Sequence, residues 1–124
     1  MKMKAAVLEE LNTPLKIEQV ELDDPRDREV LVKMVATGVC HSDIHCIKGD
    51  LMTPPPVVLG HEGAGIVEKV GSSVTTVQPG DKVILTVAPY CGKCPACTMG
   101  VPTSCENYHR QRCLWAACRT APSG

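Results

Sequence analysis

Glu29-Val-Leu-Val-Lys-Met-Val-Ala-Thr37 is the strongest strand signal in the chain, and Gly38 ends it. Upstream, Lys4-Ala-Ala-Val-Leu8 reads as a short strand. Leu15-Lys-Ile-Glu-Gln-Val-Glu-Leu22 alternates apolar and polar residues with period two, the mark of a half-buried strand. Asp23-Asp-Pro-Arg-Asp27 between them and Glu29 is a solvated turn. Downstream, Ala64-Gly-Ile-Val-Glu-Lys-Val70 and Lys82-Val-Ile-Leu-Thr86 are further strands, with Val77-Gln-Pro-Gly-Asp81 as a turn. Thr53-Pro-Pro-Pro56 cannot donate to a ladder and reads as an extended loop. A short helix is expected after Cys40, capped by Ser42 or Asp43 and stopped by Gly49. Short strands separated by Gly/Pro turns imply a mainly β fold, a small barrel or sandwich.

The 124 residues fit one domain, which should bury ~65% of its extended surface. Net charge is −1, so no electrostatic footprint for nucleic acid or an acidic membrane exists. No apolar run approaches a membrane span. Phe is absent and only two Tyr and one Trp are aromatic, so the core must be aliphatic. Every lysine and every acid lies at or before Glu106; Tyr108 onward holds three arginines and the sole tryptophan, Trp115. Residues 1–107 are therefore expected as the domain and 108–124 as an atypical, poorly ordered tail.

Cys91-Gly-Lys-Cys94-Pro-Ala-Cys97-Thr-Met-Gly-Val-Pro-Thr-Ser-Cys105 sets four thiols at C-x2-C-x2-C-x7-C spacing in a loop rich in Gly and Pro. Zinc takes four soft or borderline ligands at tetrahedral corners, and a closed tetrathiolate leaves no position for substrate. The reading is a structural zinc lobe over 91–105. Disulfides and an iron–sulfur site are the chemical rivals. The N-terminus places Glu9 and Glu10 where a secretory leader would be apolar, so a cytoplasmic protein is expected, where clustered cysteines favour metal.

A second polar cluster surrounds Cys40 and His61. Glu62 adjoins His61, and His41, Ser42, Asp43 and His45 follow Cys40. Taken singly, Ser42 and Asp43 are helix-cap residues, His45 is a surface histidine and Cys46 is a buried thiol. Together they make a dense inventory of ligating and proton-bearing groups. Gly63-Ala-Gly65 opens like a dinucleotide fingerprint, but Glu68 stands where the third glycine is required.

Four stretches in order carry a resemblance: Thr37-Gly-Val-Cys-His-Ser-Asp43, Gly60-His-Glu-Gly-Ala-Gly-Ile-Val-Glu-Lys-Val-Gly71, Gly80-Asp-Lys-Val83 and the cysteine loop. Up to about Asn107 the chain resembles the zinc-dependent alcohol dehydrogenases of the medium-chain dehydrogenase/reductase superfamily. The resemblance implies a GroES-like β-barrel with short helices and a zinc lobe. It implies that Cys40 and His61 are ligands of a catalytic zinc, with Glu62 able to approach the metal. It implies that Ser42 bonds the alcohol, that His45 receives the proton by way of the cofactor ribose, and that His41 contacts the cofactor pyrophosphate. Asp43 matches a carboxylate that orients the zinc ligands, and Val87 falls on the substrate-pocket wall. The implied reaction is interconversion of an alcohol with an aldehyde or ketone, with zinc polarising oxygen and NAD or NADP taking hydride.

Members of that family continue with a third catalytic cysteine ligand and a Rossmann domain, neither of which this sequence contains. The expectation is the N-terminal part of such an enzyme, a truncated or frame-shifted product inactive alone, with an incomplete catalytic zinc site and exposed apolar surface. The alternative is a non-catalytic zinc-binding structural or interaction module. Expected partners are a small alcohol or aldehyde and, in a full-length form, further copies of the chain; nucleic acid and membrane are not expected.

Overall fold

The computed structural model describes residues 1–107 and 118–120. Two antiparallel sheets make the body. In the first, β1 (Lys2–Leu8) pairs with β2 (Lys16–Leu22), β4 (Val57–Val58) flanks β1, and β7 (Cys118–Thr120) flanks β2. In the second, β5 (Gly63–Val70) lies between β3 (Val30–Thr37) and β6 (Lys82–Ile84). The fold is mainly β, as the strand pattern implied.

The period-two pattern decides what is buried. Ala5, Val7 and Val20 form the core cluster of the first sheet, with Val58 packed against it. Val7, Leu8, Val20 and Val67 have almost no exposed surface. Each such side chain contributes roughly 1.5–3 kcal/mol over its exposed state. By contrast, much of β3 and β6 is uncovered: Val35 is 72% and Ile84 86% exposed.

The register of the second sheet positions the polar cluster. Thr37 at the end of β3 pairs with Gly63 at the start of β5. The contact continues one step further, because Gly38 N–H donates to Glu62 O at 2.8 Å and Thr37 Oγ1 to the same oxygen at 2.9 Å. Cys40 and His61 leave the same end of the sheet. Irregularities between Leu31 and Val32 and between Met34 and Ala36 bend the ladder on the way. Gly65 is needed on β5 because a Cβ there would strike the backbone of Lys33 and lie 2.6 Å from Val32 Cγ1.

Two expectations change. Helix α1 (His41–Lys48) begins two residues earlier than a Ser42 cap would set and three earlier than an Asp43 cap: Cys40 is the cap position, and Asp43 Oδ2 accepts from Cys40 N–H at 3.2 Å. The charged residues of the Asp23–Asp27 turn are exposed, as expected, and two of its carboxylates have partners: Asp24 pairs with Lys69 at 2.7 Å and Asp27 accepts from Ser72 Oγ at 2.9 Å. Residues 118–120 pair as β7 with β2, matching Val20 to Thr120, although no element was expected there. The rest of the 108–124 tail lies outside the described residues. No helix among the described residues is long and apolar enough to cross a membrane.

Candidate metal centres

The cysteine loop closes on itself. Cys94 precedes helix α2 (Pro95–Thr98), and a 3-10 turn over Pro102–Ser104 returns the chain so that Cys105 follows it. Cys94 Sγ is 3.4 Å from Cys97 Sγ and 4.0 Å from Cys105 Sγ, and all four sulfurs lie within 4.8 Å of one another. A tetrahedral zinc with bonds of about 2.3 Å places its sulfurs about 3.8 Å apart, so the cage has the size of that ion. Gly92, at φ 72°, supplies a left-handed turn inside the loop.

The backbone N–H of Lys93 and the Asn107 side chain bring the Cys91 thiol down to about 6. Backbone N–H groups of Cys97 and Glu106 lower Cys94. Burial, and then the neighbouring Cys94, push Cys97 up to about 11. The N–H donors beside Cys91 and Cys94 favour thiolates at those two positions, which a bound cation would stabilise further.

The second centre stands where β3 and β5 part. One ligand atom each from Cys40, His61 and Glu62 lies within 4.8 Å of the others. A single ion can touch all three. His61 Nδ1–H donates to Asp43 Oδ1 at 3.2 Å, so the ring is oriented through one nitrogen and the other can serve a metal. The Ser42 hydroxyl, whose Oγ is 3.5 Å from Cys40 Sγ, leads the groups that lower the Cys40 thiol; its own N–H and His61 follow. For His61, burial works downward, but the bonds to Cys40 and Asp43 outweigh it and the ring stands above its ordinary value.

A cavity of about 1320 Å³ opens on this centre, and its lining includes Cys40, Ser42, His61 and Glu62 together with Ile84 and Val87. Val87 therefore lies on the wall with the polar cluster, 51% exposed. His41 and His45 do not line the cavity. They sit one turn apart on α1, ring centroids 4.8 Å apart at an interplanar angle of 67°. His45 pairs outward with Asp50 at 2.9 Å.

Sequence reasoning missed three contributors. Cys46, buried as expected, also lines the cavity and receives a hydrogen bond from Thr53 Oγ1 at 3.4 Å. Asn107 donates to Cys91 Sγ at 3.5 Å, just past the last cysteine. Asp50 follows the helix stop at Gly49, a signal that was legible but read only as punctuation.

A family model described as the alcohol dehydrogenase GroES-like domain matches residues 26–122. Among solved structures, an alcohol dehydrogenase zinc-binding domain protein from Burkholderia ambifaria is 38% identical at a TM-score of 0.87, covering 98% of this chain and 34% of that one. Benzyl alcohol dehydrogenase from Acinetobacter calcoaceticus is 41% identical at a TM-score of 0.79, covering 87% of this chain and 30% of that one. A thermostable alcohol dehydrogenase from Pyrobaculum aerophilum with cobalt and zinc bound is 34% identical at 0.78, covering 87% and 33%. The chain spans about a third of the length of these structures.

Proposed function

The chain belongs to the zinc-dependent alcohol dehydrogenases of the medium-chain superfamily, as their GroES-like domain, and from that premise we propose that it supplies the metal- and alcohol-binding part of an NAD(P)-linked alcohol dehydrogenase. The observation that carries the proposal is the convergence of Cys40, His61 and Glu62 on one point at the edge of a cavity.

In this reading the Cys91–Cys105 lobe holds one zinc for structure, and Cys40 and His61, with Glu62 near, hold another for catalysis. When bound there, zinc supplies Lewis-acid polarisation of an alcohol oxygen. The residues of the chain do the rest. Asp43 keeps a proton on His61 Nδ1 and so aims the ring. The Ser42 hydroxyl, beside Cys40 and on the cavity wall, bonds the alcohol and is the first station for its proton. His45, on the outer side of α1, is the acceptor that delivers that proton towards water. His41, beside it, faces the anionic part of the nucleotide. Val87 and Ile84 give the alcohol an apolar wall.

The 124-residue chain by itself is proposed to bind metal without oxidising alcohols. Three ligating residues converge at the second centre, and no strand in the sequence is followed by a G-x-G-x-x-G loop to hold a nucleotide. The test starts from protein with its cysteine lobe saturated by zinc and adds Co²⁺. A thiolate-to-cobalt absorption band that disappears in Cys40→Ser supports the reading. A band that survives that substitution, or none, overturns it. NAD(P)H formation from any alcohol by the 124-residue chain overturns the claim of inactivity.

A further inference from the structure

Helix α1 stops in a way that fixes a side-chain pair. Gly49 lies just past the helix in the left-handed region, at φ 84°. Its N–H donates to Cys46 O at 3.2 Å, and the next residue, Asp50, donates its N–H to His45 O at 2.9 Å. These two bonds, spanning three and five residues, define a Schellman stop. Such a stop brings together the side chains of the residue four before the left-handed glycine and the residue just beyond it, commonly as an apolar contact. Here the two residues are His45 and Asp50, and the contact is polar: His45 Nδ1 lies 2.9 Å from Asp50 Oδ2.

A carboxylate only accepts, so the proton of the neutral ring is on Nδ1 and the lone pair is on Nε2. The ring of His41 packs against His45 at 67° from one turn back, which bounds the imidazole on a second side. Gly49 cannot be exchanged without cost to this arrangement. Its φ is unfavourable for other residues, and a Cβ would lie 3.0 Å from Leu11 Cδ1.

The geometry points to Asp50 as a positioning residue that holds neutral His45 as its Nδ1–H tautomer and presents Nε2 as the proton acceptor. The inference rests on the reading of His45 as the acceptor in alcohol oxidation. In that step a proton leaves the alcohol oxygen side of the relay, the Nε2 lone pair forms the new N–H bond, and the ring later releases a proton to water. The opposite tautomer would present an N–H where a lone pair is needed, the failure expected when a histidine loses its orienting carboxylate.

The pair is half exposed, with His45 at 45% and Asp50 at 57%, so the carboxylate biases the tautomers rather than locking them. Removing it should change their ratio roughly 2- to 5-fold, the scale of an exposed ion-pair contact. Long-range ¹H–¹⁵N spectra of the labelled chain, taken well above the ordinary histidine pKa, report this ratio directly. The His45 signals are those lost in His45→Gln. Wild type should show a larger Nδ1–H fraction than Asp50→Ala. Asp50→Ala should move the population towards Nε2–H, and Asp50→Glu should recover part of the wild-type ratio. Unchanged backbone amide shifts across α1 in Asp50→Ala would establish that the helix stop survives, since its bonds are main-chain. An Asp50→Ala spectrum with an unchanged ratio, or one moved towards Nδ1–H, overturns the inference. The spectra need neither zinc nor nucleotide, so a failure of metal binding at Cys40 and His61 would sink the functional reading and leave this result standing.

Discussion

Asp43 and His61, eighteen positions apart, are joined by a 3.2 Å hydrogen bond from the imidazole Nδ1–H to carboxylate Oδ1. The other oxygen of the same carboxylate accepts from Cys40 N–H at 3.2 Å. One side chain thus orients His61 and secures the helix start that carries Cys40. Losing both bonds should lower metal affinity at Cys40 and His61 by roughly 10- to 100-fold. Cobalt titration of Asp43→Ala against a chromophoric chelator measures it. An affinity within twofold of wild type would show that Asp43 serves the helix alone.

Cys94 is expected to decide the occupancy of the lobe, because its sulfur lies between those of Cys97 and Cys105. Elemental analysis of metal-washed protein should find about one tightly held zinc per chain, lost in Cys94→Ser, as a closed four-ligand site requires. A tightly held zinc that remains in the variant would move the structural site elsewhere.

The thiols of the metal-free lobe should separate by pH. Alkylation proceeds through the thiolate, so each rate rises as pH passes the thiol's pKa. Cys91, held down by the Lys93 N–H and Asn107, should reach half its limiting rate at about 6. Cys97, pushed up by burial and by Cys94, should stay slow until about 11. Mass-spectrometric mapping after timed iodoacetamide pulses reads both. Saturating zinc should suppress the Cys91 reaction. Equal rates for the two cysteines across the series would contradict the asymmetric donor arrangement.

Gly38 has no φ that demands glycine, but a side chain there would meet that of Glu62. A Cβ would overlap Glu62 Oε2 and lie 3.1 Å from Glu62 Cβ and 3.3 Å from its Cδ. Gly38→Ala should therefore cost about 1–3 kcal/mol as overpacking, or displace the Glu62 carboxylate from the Cys40 and His61 side. Urea midpoints at constant m-value would measure the loss. The double variant Gly38→Ala/Glu62→Ala should recover about 0.5–3 kcal/mol relative to additivity, the range for residues in contact. Strict additivity would mean that the two residues do not compete for the space.

Much of the architecture was legible because it is written locally. Period-two alternation in Leu15–Leu22 and the run from Glu29 to Thr37 mark strands whatever they pair with. Gly49 marks the helix stop by its need for a left-handed angle. The cysteine spacing brings four thiols within 4.8 Å of one another with only fifteen residues of chain from Cys91 to Cys105.

The pairing of those strands was not legible, and neither was anything that depends on it. The three residues at 118–120 pair with β2 although their composition signalled no element, because an edge strand satisfies backbone groups whatever its side chains. The Asp24–Lys69 and Asp27–Ser72 contacts need the turn to lie against the end of β5.

The sequence by itself determined the strand pattern, the tetrathiolate loop and, through four ordered motifs, the family. Those depend on backbone preferences and on ligands a few bonds apart. Only the tertiary structure decided that Thr37 meets Gly63, and hence that Cys40, His61 and Glu62 converge while Gly38 makes room for the carboxylate. It also decided that His45 turns to Asp50 outside the cavity rather than into it. Register between distant strands and side-chain direction at a helix end come from packing the whole chain, and a one-residue slip between β3 and β5 would move the ligands to opposite faces.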